Sequence, residues 1–173
     1  MQIRKTADTD LPRLLELYAK ARAFMADHGN PRQWGATNWP PEALLRQDIA
    51  NGNSYVCVED DCIVGTFFYI AGHDIEPTYR IIENGRWLTG DDGNYLALHR
   101  VAVAVNHRGT GIAEAILNHS EKVAKEQGKI SLRIDTHRGN LPMRRMLERN
   151  GFTHCGRIRL ANGDPREAYE KII

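Results

Sequence analysis

Apolar residues recur along this chain in two rhythms, every three or four positions and every second position, and the switches between them mark its elements. Residues 2–6 read as a short strand. Asp8 or Thr9 then caps a helix that carries Leu11, Leu14, Leu15 and Tyr18 on helical spacing and ends near Gly29. Trp34 and Trp39 follow in a stretch rich in Gly, Pro and Asn, and Pro41 opens a second helix, residues 42–51, closed by Gly52. Residues 54–59 and 62–71, parted by Asp60 and Asp61, form a hairpin of β-branched and aromatic residues in which Gly65 marks a bulge. Residues 73–94 lose all period to Pro, Gly and charge. So long a connection is a candidate functional segment, with room for one short helix or turn.

Residues 95–105 (YLALHRVAVAV) are apolar almost throughout, as in a strand buried on both faces, and only His99 and Arg100 interrupt them. This strand is the expected centre of the sheet. A helix of residues 112–127 follows, with Ile112, Ile116 and Val123 on one side, Glu121–Lys125 and Lys122–Glu126 pairs toward solvent, and Gly128 at its end. Residues 130–135 alternate as a strand, residues 140–150 form a short helix ended by Gly151, and the tail makes two strands around Asn162-Gly163-Asp164-Pro165. The order β-α-α-β-β-β-α-β-α-β-β predicts an α/β fold, a mixed sheet with helices on its faces, in one domain over residues 1–173.

Composition narrows the partners. Lys and Arg number 23 against 22 Asp and Glu, a net charge of +1, so no overall field draws the chain to nucleic acid or anionic lipid. The Arg-rich residues 137–149 lack the stacking aromatics that a nucleic-acid surface uses. Cys57, Cys62 and Cys155 are an odd number without CxxC spacing, which argues against disulfides and a zinc site and fits a reducing compartment. No leader-like apolar stretch opens the chain, and no apolar run approaches the ~18 residues of a membrane span, so a cytoplasmic protein without a metal is expected.

The chemistry concentrates at Arg108-Gly109-Thr110-Gly111-Ile112-Ala113, between the buried strand and an amphipathic helix. Backbone N–H groups lie unpaired at a positive helix end there, and two glycines remove the side chains that would block an approaching pyrophosphate. A dinucleotide fingerprint needs a third glycine where Glu114 stands, and a P-loop needs a Gly-Lys-Ser/Thr that is absent. The segment resembles the Arg/Gln-x-x-Gly-x-Gly/Ala loop of the GNAT acetyltransferases, with Arg108, Gly111 and Ala113 in its three defined places. Residues 140–152 (NLPMRRMLERNGF) are similar to that family's later segment, in which an asparagine opens a helix that closes on Gly-Phe, here Asn140, Gly151 and Phe152.

The resemblance implies a largely antiparallel sheet with one splayed pair of strands, and acetyl-CoA as acyl donor. Pantetheine would pair with the strand edge at Val101, Ala102 and Val103, the pyrophosphate would sit on Arg108, Gly109, Thr110, Gly111, Ile112 and Ala113, and Asn140 would bond the pantetheine arm. An amine would attack the thioester directly. One departure stands out: Leu147 occupies the place, seven residues after the asparagine, where many members carry a tyrosine that protonates the leaving thiolate. Tyr95 or a water is left for that task, or the thiolate departs unprotonated.

His99 is the candidate general base, because an imidazole with a pKa near ~6.5 titrates where an amine must lose its proton, and the competing role is a buried structural histidine. Arg100, on the opposite face, wants a carboxylate partner. Trp34, Trp39 and Trp87 offer either an aromatic wall for the acceptor or anchors for their loops, and Glu76, Glu83, Asp91 and Asp92 either hold a cationic amine or face solvent. Among Arg133, Arg138, Arg144, Arg145 and Arg149, one or two are candidates for the 3′-phosphate of coenzyme A. The resemblance implies an amine of a small molecule or peptide as the acceptor. A non-catalytic acyl-CoA-binding regulatory module is the alternative, and the sequence leaves a homodimer open.

Overall fold

The computed structural model describes residues 1–35, 37–72, 75–90 and 94–173. Among these, seven strands and four α-helices follow one another as β1 (Gln2–Lys5), α1 (Leu11–Asp27), α2 (Glu42–Ala50), β2 (Ser54–Glu59), β3 (Cys62–Gly72), β4 (Tyr95–Val103), α3 (Ile112–Glu126), β5 (Ser131–Thr136), α4 (Leu141–Arg149), β6 (Thr153–Arg159) and β7 (Pro165–Ile172). This is the expected order with boundaries shifted by a residue or two. The strands hydrogen-bond in the order β1-β2-β3-β4-β5-β7-β6, a mixed α/β sheet. Among the described residues β4 and β5 pair parallel, and β1–β2, β2–β3, β5–β7 and β6–β7 are antiparallel. The β4–β5 register covers Tyr95–Ala97 against Ser131–Arg133 and stops there, although both strands continue, as a splayed pair requires.

The chain forms two compact units, Met1–Tyr69 with Arg100–Ile116, and Ile70–His99 with Leu117–Ile173. In the first, Leu11, Leu14, Leu17, Tyr18 and Ala21 of α1 fall on one helix face and pack with Leu45 of α2, Val56 of β2, Ile63 of β3 and Ala102 of β4. Each fully buried leucine contributes roughly 1.5–3 kcal/mol by leaving water. The opposite face of the same strands receives α3: a Cβ on Gly65 would lie 3.0 Å from Ile112 and 3.5 Å from Cys57, so glycine is needed for close approach. The bulge expected at Gly65 falls beside it, because Cys57 pairs with Gly65 and Val58 with Ile63, which leaves Val64 as the extra residue. The start of α1 also differs from expectation. Neither Asp8 nor Thr9 caps it; both lie in a single 3₁₀ turn, Asp8–Asp10, and the Asp10 carboxylate accepts from the Ala7 N–H and from Arg4.

In the second unit the described residues of the long connection are held in place. Among them Pro77–Tyr79 form a helical turn, Glu83 bridges to Arg157, and Trp87 is buried against Tyr79, Tyr95 and Ala168. Glu170 of β7, fully buried, accepts from the N–H groups of Leu88 and Thr89, from the hydroxyls of Thr89 and Ser131, and from Arg133 Nε. Burial raises the Glu170 carboxyl, but the bonds from Ser131, Thr89 and Arg133 outweigh it and hold the group below its ordinary value. A buried charge is tolerated only when every lone pair is met, and here those partners pin residues 88 and 89 to the strands. Among the described residues no helix is long and apolar enough to cross a membrane, and the three cysteines are free.

Candidate active site

β4 ends at Val103, two residues earlier than its apolar run; Arg100 within it adopts φ +55°, and the Ala104 N–H donates to the Val64 carbonyl of β3. The chain turns once through Val105–His107 and reaches the Arg108 loop. Gly109 and Gly111 hold φ +78° and +92°, conformations that cost an L-residue about 1 kcal/mol or more, and a Cβ on Gly109 would meet nothing within 4 Å. The Gly111 carbonyl accepts from the Ala115 N–H, so α3 begins here and the N–H groups of its first turn have no intrahelical partners. Arg108 completes the loop. Among the described residues its Nη1 is buried without a hydrogen-bond partner, and burial lowers its pKa. An open glycine cradle beside a desolvated, unsatisfied cation fits a diphosphate.

The second cluster surrounds His99. Nε2 lies 3.1 Å from Glu76 Oε2 and Nδ1 lies 3.8 Å from Asp135 Oδ1, with the three side chains 16%, 20% and 12% exposed. The Tyr79 hydroxyl donates to Asp135 Oδ1 at 2.8 Å and Thr78 donates to Glu76. Burial pushes the Glu76 carboxyl up, but the attraction of His99, helped by Thr78, prevails and holds it below its ordinary value. Burial and the charges of Asp135 and Glu76 push the Tyr79 phenol well above its ordinary value, so it stays a neutral donor. The result is an imidazole set between two carboxylates.

The sequence matches the acetyltransferase (GNAT) family over residues 13–152. The chain belongs to this family. A GNAT-family acetyltransferase from Streptococcus agalactiae 2603 matches with a TM-score of 0.87 and 32% identity, over 99% of this chain and 95% of that one. A ribosomal-protein-alanine N-acetyltransferase from Brucella melitensis shares the fold at TM-score 0.71 and 22% identity, over 100% of both chains. So does the PaiA N-acetyltransferase of Thermoplasma acidophilum, solved in complex with coenzyme A, at TM-score 0.69 and 19% identity, over 99% of this chain and 98% of that one. No curated protein sequence matches the chain.

Against this GNAT frame the residues named from sequence separate into groups. Arg108, Gly109, Thr110 and Gly111 lie in the loop before α3, and Ile112 and Ala113 in its first turn. Ala102 buries its side chain in the first unit's core, while Val101 and Val103 are half-buried. Arg100 has the carboxylate it needs, Asp48 at 2.9 Å, with its guanidinium 3.8 Å above the Phe68 ring. Trp34 packs edge-on against Tyr18 and beside Trp39.

Two aromatic assignments change. Trp87 is 3% exposed and donates its indole N–H to the Tyr79 carbonyl, so the acceptor wall expected of it is closed by core packing. Tyr95 is 2% exposed with its ring 4.2 Å from the Arg133 guanidinium, a packing position rather than that of a proton donor open to a substrate. Arg133 itself is 2% exposed and bound to Glu170, which removes it from the candidates for the 3′-phosphate. Glu83 pairs with Arg159, and Asp91 and Asp92 lie outside the described residues. Leu147 is fully buried, so α4 presents a core residue seven positions after Asn140.

Asn140 caps α4: its Oδ1 accepts from the Met143 N–H at 3.4 Å and its Nδ2 donates to Thr136 Oγ1 at 3.1 Å. Asn140→Ala is therefore expected to cost about 1 kcal/mol of stability in a denaturant melt. A variant that melts normally yet binds coenzyme A weakly would restore the direct cofactor role. Sequence reading missed Asp135 and Tyr79. Asp135 carries a local signal, since it shares the strand face of Arg133 while Leu132 and Ile134 are buried on the other.

Proposed function

We propose that this chain is an N-acetyltransferase that moves the acetyl group of acetyl-CoA to an amine of a small molecule or peptide, acting as one domain over residues 1–173 in the cytoplasm. The observation that carries the reading is the buried, unpartnered Nη1 of Arg108 beside the open Gly109 and Gly111 cradle. The coenzyme A complex of one structural relative and the ribosomal-protein alanine in another relative's name support the donor and the acceptor class.

When bound, acetyl-CoA supplies an acyl group activated as a thioester. The backbone N–H groups of residues 109–113 and the Arg108 guanidinium would hold its diphosphate, and the backbone of Val101, Ala102 and Val103 its pantetheine arm. His99 lies on the same strand as those residues, and its imidazole would take the proton that the amine must lose as it forms the new C–N bond. Glu76 and Asp135 stabilise the resulting imidazolium by charge. With Leu147 apolar, the thiol, of ordinary pKa near ~8.5, leaves as thiolate.

Incubating the protein with acetyl-CoA, a library of amines and a thiol-detecting reagent is expected to give thiol release that depends on particular amines. Tight coenzyme A binding with no release across the library would replace this reading by a non-catalytic acyl-CoA-binding module.

A further inference from the structure

The end of α1 bears on the Arg108 loop through a contact that no motif encodes. The Arg108 guanidinium carbon lies 3.4 Å from the centroid of the Phe24 ring. The His28 imidazole stacks on the same ring, with centroids 3.8 Å apart and planes 19° from parallel, and its Nδ1 is 2.8 Å from the Phe24 carbonyl oxygen. Two groups so close to one ring centroid would overlap on a shared face, so they occupy opposite faces. Phe24 is thus clamped, with one face offered to a cation. A guanidinium donates only in its own plane, and stacking on a ring therefore desolvates its face while sparing its N–H groups for an anion. The buried, unpartnered Nη1 is such a spared donor.

We propose that Phe24 is the positioning residue for recognition of the coenzyme A diphosphate: its ring holds the Arg108 guanidinium stripped of water and oriented before the ligand arrives. The inference rests on the coenzyme A reading above. A ligand charge that meets a cation already desolvated and immobilised gains more than one that must first order a solvated side chain. The ring supplies this by its π face and not merely by its bulk, which separates positioning from packing.

The test measures coenzyme A affinity by calorimetry, and affinity for pantetheine, which has no phosphate, by NMR titration. Phe24→Leu keeps apolar volume and loses the π face, and it is expected to weaken coenzyme A about tenfold while leaving pantetheine unchanged. Phe24→Tyr should bind coenzyme A like the wild type. In an Arg108→Ala background the Leu and Phe forms should bind coenzyme A equally, because the group that Phe24 positions is gone. Wild-type affinity in Phe24→Leu, an equal loss in the Leu and Tyr variants, or a parallel loss of pantetheine would overturn the proposal. Failure of the wild-type protein to bind coenzyme A would instead overturn the functional reading beneath it.

Discussion

Gly111→Glu is expected to weaken coenzyme A binding by at least about 100-fold in a protein that still folds. Two effects act at this position, and their magnitudes decide which one dominates. The φ of +92° strains any L-residue, at a cost of roughly 1–2 kcal/mol, whereas the nearest atom to a new Cβ is Glu114 Oε2 at 3.9 Å, so no clash is added. A carboxylate about 4 Å from a phosphate charge costs on the order of 4 kcal/mol at an effective dielectric constant near 20, and the diphosphate carries more than one charge. Repulsion therefore exceeds strain. Gly111→Ala separates them: it bears the strain without the charge, and should lose about 1 kcal/mol of stability with only a small loss of affinity. Calorimetric titration of both variants checks this, and unchanged affinity in a folded Gly111→Glu protein would remove Arg108 to Ala113 as the diphosphate site.

His99→Ala should lower kcat/KM by about 10²-fold and remove the imidazole limb of the pH–rate profile. The structure makes a second, independent expectation about the same variant. Glu76 is held below its ordinary value of 4.5 chiefly because His99 overcomes the effect of burial. A carboxyl whose folded pKa lies below its unfolded pKa adds stability above the unfolded value and loses it as pH falls through the folded value. The stability deficit of His99→Ala should accordingly shrink as pH falls through the range in which Glu76 is protonated, measured as denaturant midpoints across pH. His99→Gln keeps a polar side chain beside Glu76 but cannot accept the amine proton. Wild-type kinetics with an unshifted profile in that variant would make His99 structural, and Asp135 acting through water would then be the next candidate base.

Much of this protein is written locally. The apolar run of β4, the two glycines after Arg108 and the amphipathic face of α3 are short-range patterns, and backbone geometry responds to them directly, so the strand, loop and helix were legible. The same holds for Asn140 as the opening of α4 and for the Glu121–Lys125 pair one helical turn apart. Tertiary structure alone decided which polar groups are enclosed. Arg133 reads as one of several arginines near the second motif, yet only the fold sets it on Glu170 between the rings of Trp87 and Tyr95, which closes all three to ligands. Glu76 and Asp135 come to His99, and Phe24 comes to Arg108, from distant parts of the chain. Such pairings leave no periodicity in the sequence, because burial and charge compensation act on distance in space and not on spacing along the backbone.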